Sequence, residues 1–189
     1  MPFFAITGAS GGGKSTLIEA LAARGFRTQS EVGRALVLEQ RAVGGRALPE
    51  EDALAFRDLL FQRSLEAFQA HSAHRKEPVF FDRSFVEAIA YSKVLGVPVP
   101  PRMMRAAGSR RFDDPVFLCP PWKEIFVTDA ERQHDFDFAV RDYAANREAY
   151  AAFGYRLVEV PRAPVCERVE FILQVLSQSR YATTSSGRP

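Results

Sequence analysis

The sequence predicts an α/β protein: a three-layer fold in which a five-stranded parallel sheet carries helices on both faces. Three observations lead there. Short apolar runs alternate with longer segments of helical period along the 189 residues, and strands that alternate with helices pair in parallel through right-handed crossovers. The runs at 3–6, 79–81 and 116–119 are apolar throughout, as in strands covered on both faces. The first of them leads through a glycine-rich turn straight into a helix.

Each element can be justified in order. Residues 3–7 are expected as the first strand and 14–23 as the first helix, whose apolar residues recur at helical spacing. Gly25 stops that helix as a glycine past the C-terminus does. Residues 26–30 read as a short second strand. Glu31-Val32-Gly33-Arg34 opens the next helix, and Gly44-Gly45 breaks it. Pro49-Glu50-Glu51-Asp52 puts a proline in a first turn and acids at the positive end of a helix. That helix is expected to reach about His74, with Lys76-Glu77-Pro78 as a turn. Val79-Phe80-Phe81-Asp82 is the third strand, followed by a helix over about 85–95.

Residues 98–114 begin proline-rich and turn basic, with Arg102, Arg105, Arg110 and Arg111 as a solvated face. The fourth strand spans 115–119 and ends abruptly at Pro120-Pro121-Trp122, where the tryptophan is either a pocket wall or a buried anchor. Thr128-x-x-Glu131 spells a capping box and predicts a long helix to about Phe153, stopped by Gly154. Residues 155–160 are the fifth strand and 165–176 the last helix. The chain reads as one domain over 1–177, with a lid region at about 120–135. Residues 178–189 read as a disordered tail.

Composition narrows the function classes. Hydrophobic content is 47% and charged content 25%, the balance of a globular chain. A net charge of +2 argues against a nucleic-acid-coating surface. No apolar run approaches the ~20 residues of a membrane span, so no membrane partner is expected. The chain enters a core strand at once, leaving no room for a signal peptide, and a cytoplasmic location is expected. Cys119 and Cys166 lack metal-ligand spacing and are expected as buried reduced thiols. His71, His74 and His134 fall in polar helical stretches and read as surface residues. Oligomeric state stays open, a homodimer included.

The chemistry centres on Gly8-Ala9-Ser10-Gly11-Gly12-Gly13-Lys14-Ser15, a G-x-x-x-x-G-K-S phosphate-binding loop between strand and helix. Glycines let consecutive amides turn inward on phosphate oxygens, and the helix start adds its positive end. The expected nucleotide-binding set is Gly8, Ser10, Gly11, Gly12, Gly13, Lys14, Ser15 and Thr16. Lys14 reaches the β- and γ-phosphates, and the Ser15 hydroxyl ligates Mg²⁺. Asp82 closes an apolar strand, where a carboxylate either holds Mg²⁺ or its water or caps the next helix, so Ser15 and Asp82 are the metal candidates. Arg83 beside it faces the same cleft or makes a surface ion pair. Glu31 is either the base for an acceptor hydroxyl or a helix N-terminal acid. Arg34, one turn on, is a candidate for an anionic acceptor. Arg132 is either a lid arginine closing on the phosphates or a helix-surface charge. The candidate catalytic set is therefore Lys14, Glu31, Asp82, Arg83 and Arg132.

The loop, Glu31-x-x-Arg34, Phe81-Asp82-Arg83-Ser84 and Val116–Trp122 followed by Asp129-Ala130-Glu131-Arg132 resemble the P-loop ATPases of the AAA_28 group. That group is similar to the ATP-binding domain of the bacterial nicotinamide riboside kinase and regulator. The Asp-Arg-Ser triplet is also similar to that of deoxynucleoside and thymidylate kinases. The resemblance covers 3 to about 177 and implies a nucleoside- or nucleotide-kinase-like P-loop NTPase fold. It further implies Asp82 and Arg83 facing phosphates and acceptor, with Glu31 as a base. The tandem acidic pair of motor ATPases is missing after the third strand, there is no length for their extra helical domain, and no Asn-Lys-x-Asp guanine signature is present. These absences favour a compact domain using ATP and Mg²⁺. The expected activity is transfer of a phosphoryl group from Mg-ATP to an unidentified small-molecule acceptor. The alternative is a nucleotide-binding regulator or slow ATPase without an acceptor.

Overall fold

The computed structural model describes residues 2–71, 77–127 and 135–185, with side chains as far as 178. Five strands form one sheet: β1 (Phe3–Gly8), β2 (Arg27–Gln29), β3 (Val79–Asp82), β4 (Val116–Cys119) and β5 (Leu157–Glu159). Their order is β2-β3-β1-β4-β5, and all neighbours run parallel. The sheet is thus the five-stranded parallel one that the alternation of strands and helices implies. β1 lies in the middle, with Ile6 beside Asp82 and Gly8 beside Cys119. The carboxyl ends of β1, β3 and β4 therefore meet at one edge.

The period of two along each strand divides the core. Phe3, Ala5, Val79 and Phe81 face one side, where they pack with Phe61, Phe68 and Phe85. Phe4, Ile6, Phe80 and Phe117 face the other, against Leu17, Leu21, Val169 and Ile172. The helices are α1 (Lys14–Ala23), α2 (Val32–Val43), α3 (Ala53–His71), α4 (Val86–Val94), α5 (Pro101–Gly108), α6 (Phe136–Ala152) and α7 (Val165–Ser185). α1 and α7 cover the second face, and α3, α4, α5 and α6 the first. α2 packs on α3 through Leu36, Val37, Leu48 and Phe56.

Several boundaries differ from the sequence reading. Pro49-Glu50-Glu51 is a turn, and α3 starts at Ala53. Asp52 caps it, accepting from the Ala55 N–H at 2.9 Å, which a side-chain oxygen there does better than a proline turn. α5 falls in the stretch read as proline-rich and basic. Pro101 opens it, and Met103 and Ala107, four residues apart, are buried while the arginines face outward. Proline is at home in a first turn, so the prolines mark a start, not a loop. α6 begins at Phe136, with the Asp135 side chain accepting from the Phe138 N–H at 2.8 Å. Thr128 and Glu131, read as the capping box, lie outside the described residues, as does Arg132. α7 runs on to Ser185, through most of the stretch read as a disordered tail. Nothing between Ser177 and Ser185 is a glycine or proline, so a helix already nucleated by its packed half propagates. Cys166 is exposed, unlike buried Cys119, because Val169 and Ile172 take the inner face of α7. His71 is half-buried, its ring 5.2 Å from that of Phe81 and its Nε2 3.1 Å from Gln29.

Phe112 closes the first core from the segment before β4. Its ring lies 4.9 Å from Phe68, 5.1 Å from Phe81 and 5.4 Å from Phe85. Phe112→Ala leaves a cavity in that cluster and is expected to cost about 3–5 kcal/mol, read as a lower urea midpoint. A loss below about 1 kcal/mol would show that the segment does not anchor the sheet.

Candidate functional site

The chain leaves β1 at Gly8 and turns through 9–13 into α1. At Gly8 φ is +113°, and a Cβ would stand 2.2 Å from the Cys119 carbonyl oxygen. Only glycine lets β1 and β4 approach so closely, and the Ala9 N–H then donates to that oxygen at 2.9 Å. Gly13 precedes α1 in the left-handed region, at φ +72°. The Gly12 N–H donates to Ala9 at 3.1 Å. Among the described residues, the amides of Gly11, Gly13 and Lys14 meet no carbonyl. Unpaired donors at the start of a helix suit an anion such as phosphate.

Lys14 is only 5% exposed. Its ammonium donates to the carbonyl of Ala9 at 2.6 Å and reaches that of Gly8 at 3.4 Å. Burial lowers its pKa and Arg83 lowers it further, against the pull of Asp82 and Glu31. The Ser15 hydroxyl donates to Asp82 Oδ2 at 3.0 Å. The other carboxylate oxygen, Oδ1, is buried with no hydrogen-bond partner among the described residues. Burial, then Glu31, raises the Asp82 pKa. A buried carboxylate oxygen in need of a partner, beside a hydroxyl, is a donor set that fits a hard divalent cation. Thr16 is exposed on the first turn of α1.

Arg83 sits just past β3 with φ +70°, an uncommon conformation for a side chain with a Cβ. Its N–H donates to the Ile6 carbonyl at 3.0 Å, which ties it to the end of β1. Its side chain is 17% exposed, with Nε 3.1 Å from Glu31 and Nη2 3.3 Å from Asp142 of α6. Burial alone would lower its pKa, but Asp142, Glu31, Glu87 and Asp82 together hold it above the ordinary value. Glu31 is the residue before α2, yet its side chain makes no cap bond there. It turns to Arg83 instead.

Behind Arg83 lies a network the sequence reading did not find. Glu87 Oε2 accepts from the Ser84 N–H at 2.7 Å and from the Tyr150 hydroxyl at 2.9 Å. Ser84 and Tyr150 oxygens are 2.6 Å apart. In sequence Glu87 is a lone acid among Phe85, Val86, Ala88 and Ile89, with no motif to mark it. Only the docking of α6 on α4 buries it. Arg168 was missed for the same reason. It lies on α7, 3% exposed, and donates to the carbonyls of Gly12 at 3.0 Å and Gly13 at 3.2 Å, and to Cys119 Sγ at 3.1 Å. Its guanidinium lies 5.8 Å from the half-buried Trp122 ring. The arginine thus braces the outer side of the loop, which leaves the inner amides for an anion.

A cavity of about 450 Å³ opens beside this cluster. Ser10, Glu31, Asp82 and Arg83 form its border with the loop, and Phe56, Leu60 and Phe81 line its apolar part. A smaller cleft of about 310 Å³ on the other side of Asp82 is lined by Ser15, Glu19, Glu31 and Arg34. Lys14, Ser15, Glu31, Asp82 and Arg83 are therefore brought together, and Arg34 lines both spaces.

The model of one family matches residues 3–168. The chain belongs to the AAA_28 family of AAA domains. No curated protein sequence matches this AAA_28 chain. Its structure is similar to a crystal structure of thymidylate kinase from Ehrlichia chaffeensis, with 17% identity, TM-score 0.61, and coverage of 93% of this chain and 100% of that one. Deoxyadenosine kinase from M. mycoides with bound dATP gives 18% identity and TM-score 0.60, over 94% and 100% of the two chains. NadR protein in complex with NR gives 18% identity and TM-score 0.67, over 86% of this chain and 46% of the NadR chain. At these identities the likeness is one of fold: the AAA_28 chain has the P-loop kinase fold.

Removing the brace should loosen the loop. Arg168→Met removes the side-chain donor of the Gly12 carbonyl and of a buried thiol, and leaves the Gly13 carbonyl only the Leu17 N–H at 3.3 Å, so it is expected to cost about 2–4 kcal/mol. Hydrogen exchange of the loop amides should quicken in parallel. Arg168→Lys should restore only part, because an ammonium lacks the planar fork that meets two carbonyls and the thiol at once. Unchanged loop exchange in Arg168→Met would show that the brace is idle.

Glu87 gives a pH signature. Burial raises its pKa above 4.5, so the folded state keeps the proton to higher pH than the unfolded chain. The stability from that protonated form is complete below the unfolded value and is lost as pH rises through the folded one. Glu87→Gln keeps an oxygen for Ser84 and Tyr150 but cannot titrate. In thermal melts the variant should therefore gain on the native chain as pH rises above about 4.5. A difference independent of pH would rule out this assignment.

Proposed function

We propose that this AAA_28 chain is a small-molecule kinase that moves the γ-phosphoryl group of ATP to a hydroxyl of a nucleoside-like or other small acceptor. The observation that carries this reading is the 450 Å³ cavity bordered by Ser10 of the loop and by Asp82, Arg83 and Glu31. A protein that only binds or hydrolyses a nucleotide has no need of a second, partly apolar space at the end of the phosphate loop. A cavity of this size suits a small organic molecule. The neighbouring folds named as kinases of thymidylate and deoxyadenosine support the reaction class, and leave the acceptor open.

In this reading Gly8, Ser10, Gly11, Gly12, Gly13, Lys14, Ser15 and Thr16 hold the triphosphate. Ser15 and Asp82 would hold Mg²⁺, which supplies charge neutralisation for the phosphates when bound. The acceptor oxygen forms a bond to the γ-phosphorus, the bond from that phosphorus to the β–γ bridging oxygen breaks, and ADP leaves. The hydroxyl proton passes to a carboxylate, Glu31 or Asp82. Lys14 and Arg83 stabilise charge on the transferring group, and Arg132 joins them from the lid at about 120–135. Catalysis is then mostly positioning and electrostatics.

One observation favours the second reading, a nucleotide-binding regulator or slow ATPase. Glu31 is occupied by Arg83 at 3.1 Å, and a paired carboxylate is a weaker base. Two measurements separate the readings. Lys14→Ala is expected to lower transfer at least a hundredfold and to weaken ATP binding, whereas unchanged turnover would exclude the kinase. ATP consumption over nucleosides, vitamins and sugars should be stimulated by one class with a phosphorylated product. A flat background across the panel would select the regulator.

A further inference from the structure

We infer that Asn146 of α6 is a positioning residue that holds Asp142 and, through it, aims the Arg83 guanidinium at the transferring phosphoryl group, a role that rests on the kinase reading above. Asp142, Asn146 and Tyr150 stand four residues apart on α6, so they form one ridge along the helix. That ridge meets the chain just past β3. Asp142 Oδ2 accepts from Arg83 Nη2 at 3.3 Å, and the Tyr150 hydroxyl lies 2.6 Å from that of Ser84. Asn146 stands between them on the ridge and is fully buried. Its Nδ2 donates to Asp142 Oδ1 at 2.8 Å and to the Asp142 carbonyl at 2.9 Å. Both partners are acceptors, so the amide has to present its nitrogen to them. Asn146 thereby takes one carboxylate oxygen and leaves the other for the guanidinium.

The hold on Arg83 is narrow. Its Nε lies 3.1 Å from Glu31, yet it is buried and makes no aligned hydrogen bond among the described residues. Among those residues, the aligned bond of the Arg83 side chain is the one to Asp142. A guanidinium is flat and rigid, so a bond at Nη2 also sets where Nε points. Nε is the donor still to be used, and an oxygen of the transferring group is the partner that the kinase reading supplies. Without the Asn146 amide, the Asp142 carboxylate is free to turn, and Arg83 turns with it. Packing alone does not account for an amide at this position. The Asn146 Oδ1 is buried with no hydrogen-bond partner among the described residues, a cost that an apolar side chain avoids.

Asn146→Leu keeps the branched shape and every charge, and removes the donor. The Arg83 Nε–H signal in a proton–nitrogen NMR spectrum of the full chain is identified by its loss in Arg83→Lys. In Asn146→Leu its exchange with water should quicken at least tenfold relative to the native chain. In transfer from Mg-ATP to the acceptor that the panel of nucleosides, vitamins and sugars selects, kcat should fall at least tenfold while KM for ATP changes less than threefold. Because Asn146 acts through Asp142, the same substitution in an Asp142→Asn background should lower kcat less than twofold. Unchanged exchange of the Arg83 signal overturns the inference and leaves the kinase reading intact. So does quicker exchange with an unchanged kcat, or an equal tenfold loss in both backgrounds, which would make Asn146 a packing residue. No transfer by the native chain to any compound overturns the kinase reading, and the exchange rate alone then decides whether Asn146 holds Arg83. Should Asn146→Leu fail to fold, Asn146→Ser, which keeps a shorter donor, is expected to quicken the exchange and lower kcat at least threefold, and no change in either overturns the inference.

Discussion

Charges at the carboxyl edge of the sheet have to neutralise one another, because the fold leaves little water there to do it. Lys14 is a buried cation and Arg83 a half-buried one, and Asp82, Glu31, Glu87 and Asp142 are the carboxylates around them. An unpaired ion in such a place costs several kcal/mol. The consequence is structural before it is functional. Arg83 draws Glu31 from the start of α2 and Asp142 from α6, so one guanidinium ties both elements to the end of β3. It does so from a left-handed backbone, which the surrounding contacts must hold in place.

The phosphate loop obeys a related constraint on its backbone. Its amides can face inward only if its carbonyls find partners elsewhere. Lys14 takes the carbonyls of Ala9 and Gly8 from within, and Arg168 takes those of Gly12 and Gly13 from behind. The loop is therefore clamped between two buried cations. Both bring positive charge close to the place where phosphate oxygens would sit, and α1 adds its dipole. The aromatic cluster beneath gives this edge a rigid base, since Phe3, Phe68, Phe81 and Phe112 lock β1 and β3 to α3.

Much of this was legible in the residues, and the misses share a cause. The sheet could be read because buried parallel strands are continuous apolar runs, and 3–6, 79–81 and 116–119 are unmistakable in that respect. Lys14, Ser15 and Asp82 could be read because a loop motif and a strand end have fixed places in the fold. Asp142, Glu87 and Arg168 could not. Each is a charged residue on a helix with no motif to mark it, and only the packing of α6 on α4 and of α7 on α1 buries it. α5 was hidden by its own first turn, where prolines that open a helix resemble a loop. The end of α7 was hidden by a polar composition that says nothing about a helix extending from a packed half.

The family and the fold do not by themselves name an acceptor, and the geometry shows why. What the neighbouring kinase structures share with this chain is the fold, at identities of 17% and 18%. Much of the wall of the 450 Å³ cavity comes from α2, α3 and α4, through Val37, Phe56, Leu60 and Tyr91. α3 and α4 pack on the sheet, and α2 packs on α3. In the proposed kinase the sheet edge would set where a phosphoryl group is delivered, and the helix walls would set what stands there to receive it. Arg83 belongs to both, being held at once by the edge through Ile6 and by side chains from the start of α2 and from α6 through Glu31 and Asp142. A change in its partners therefore disturbs the sheet edge and the cavity wall together.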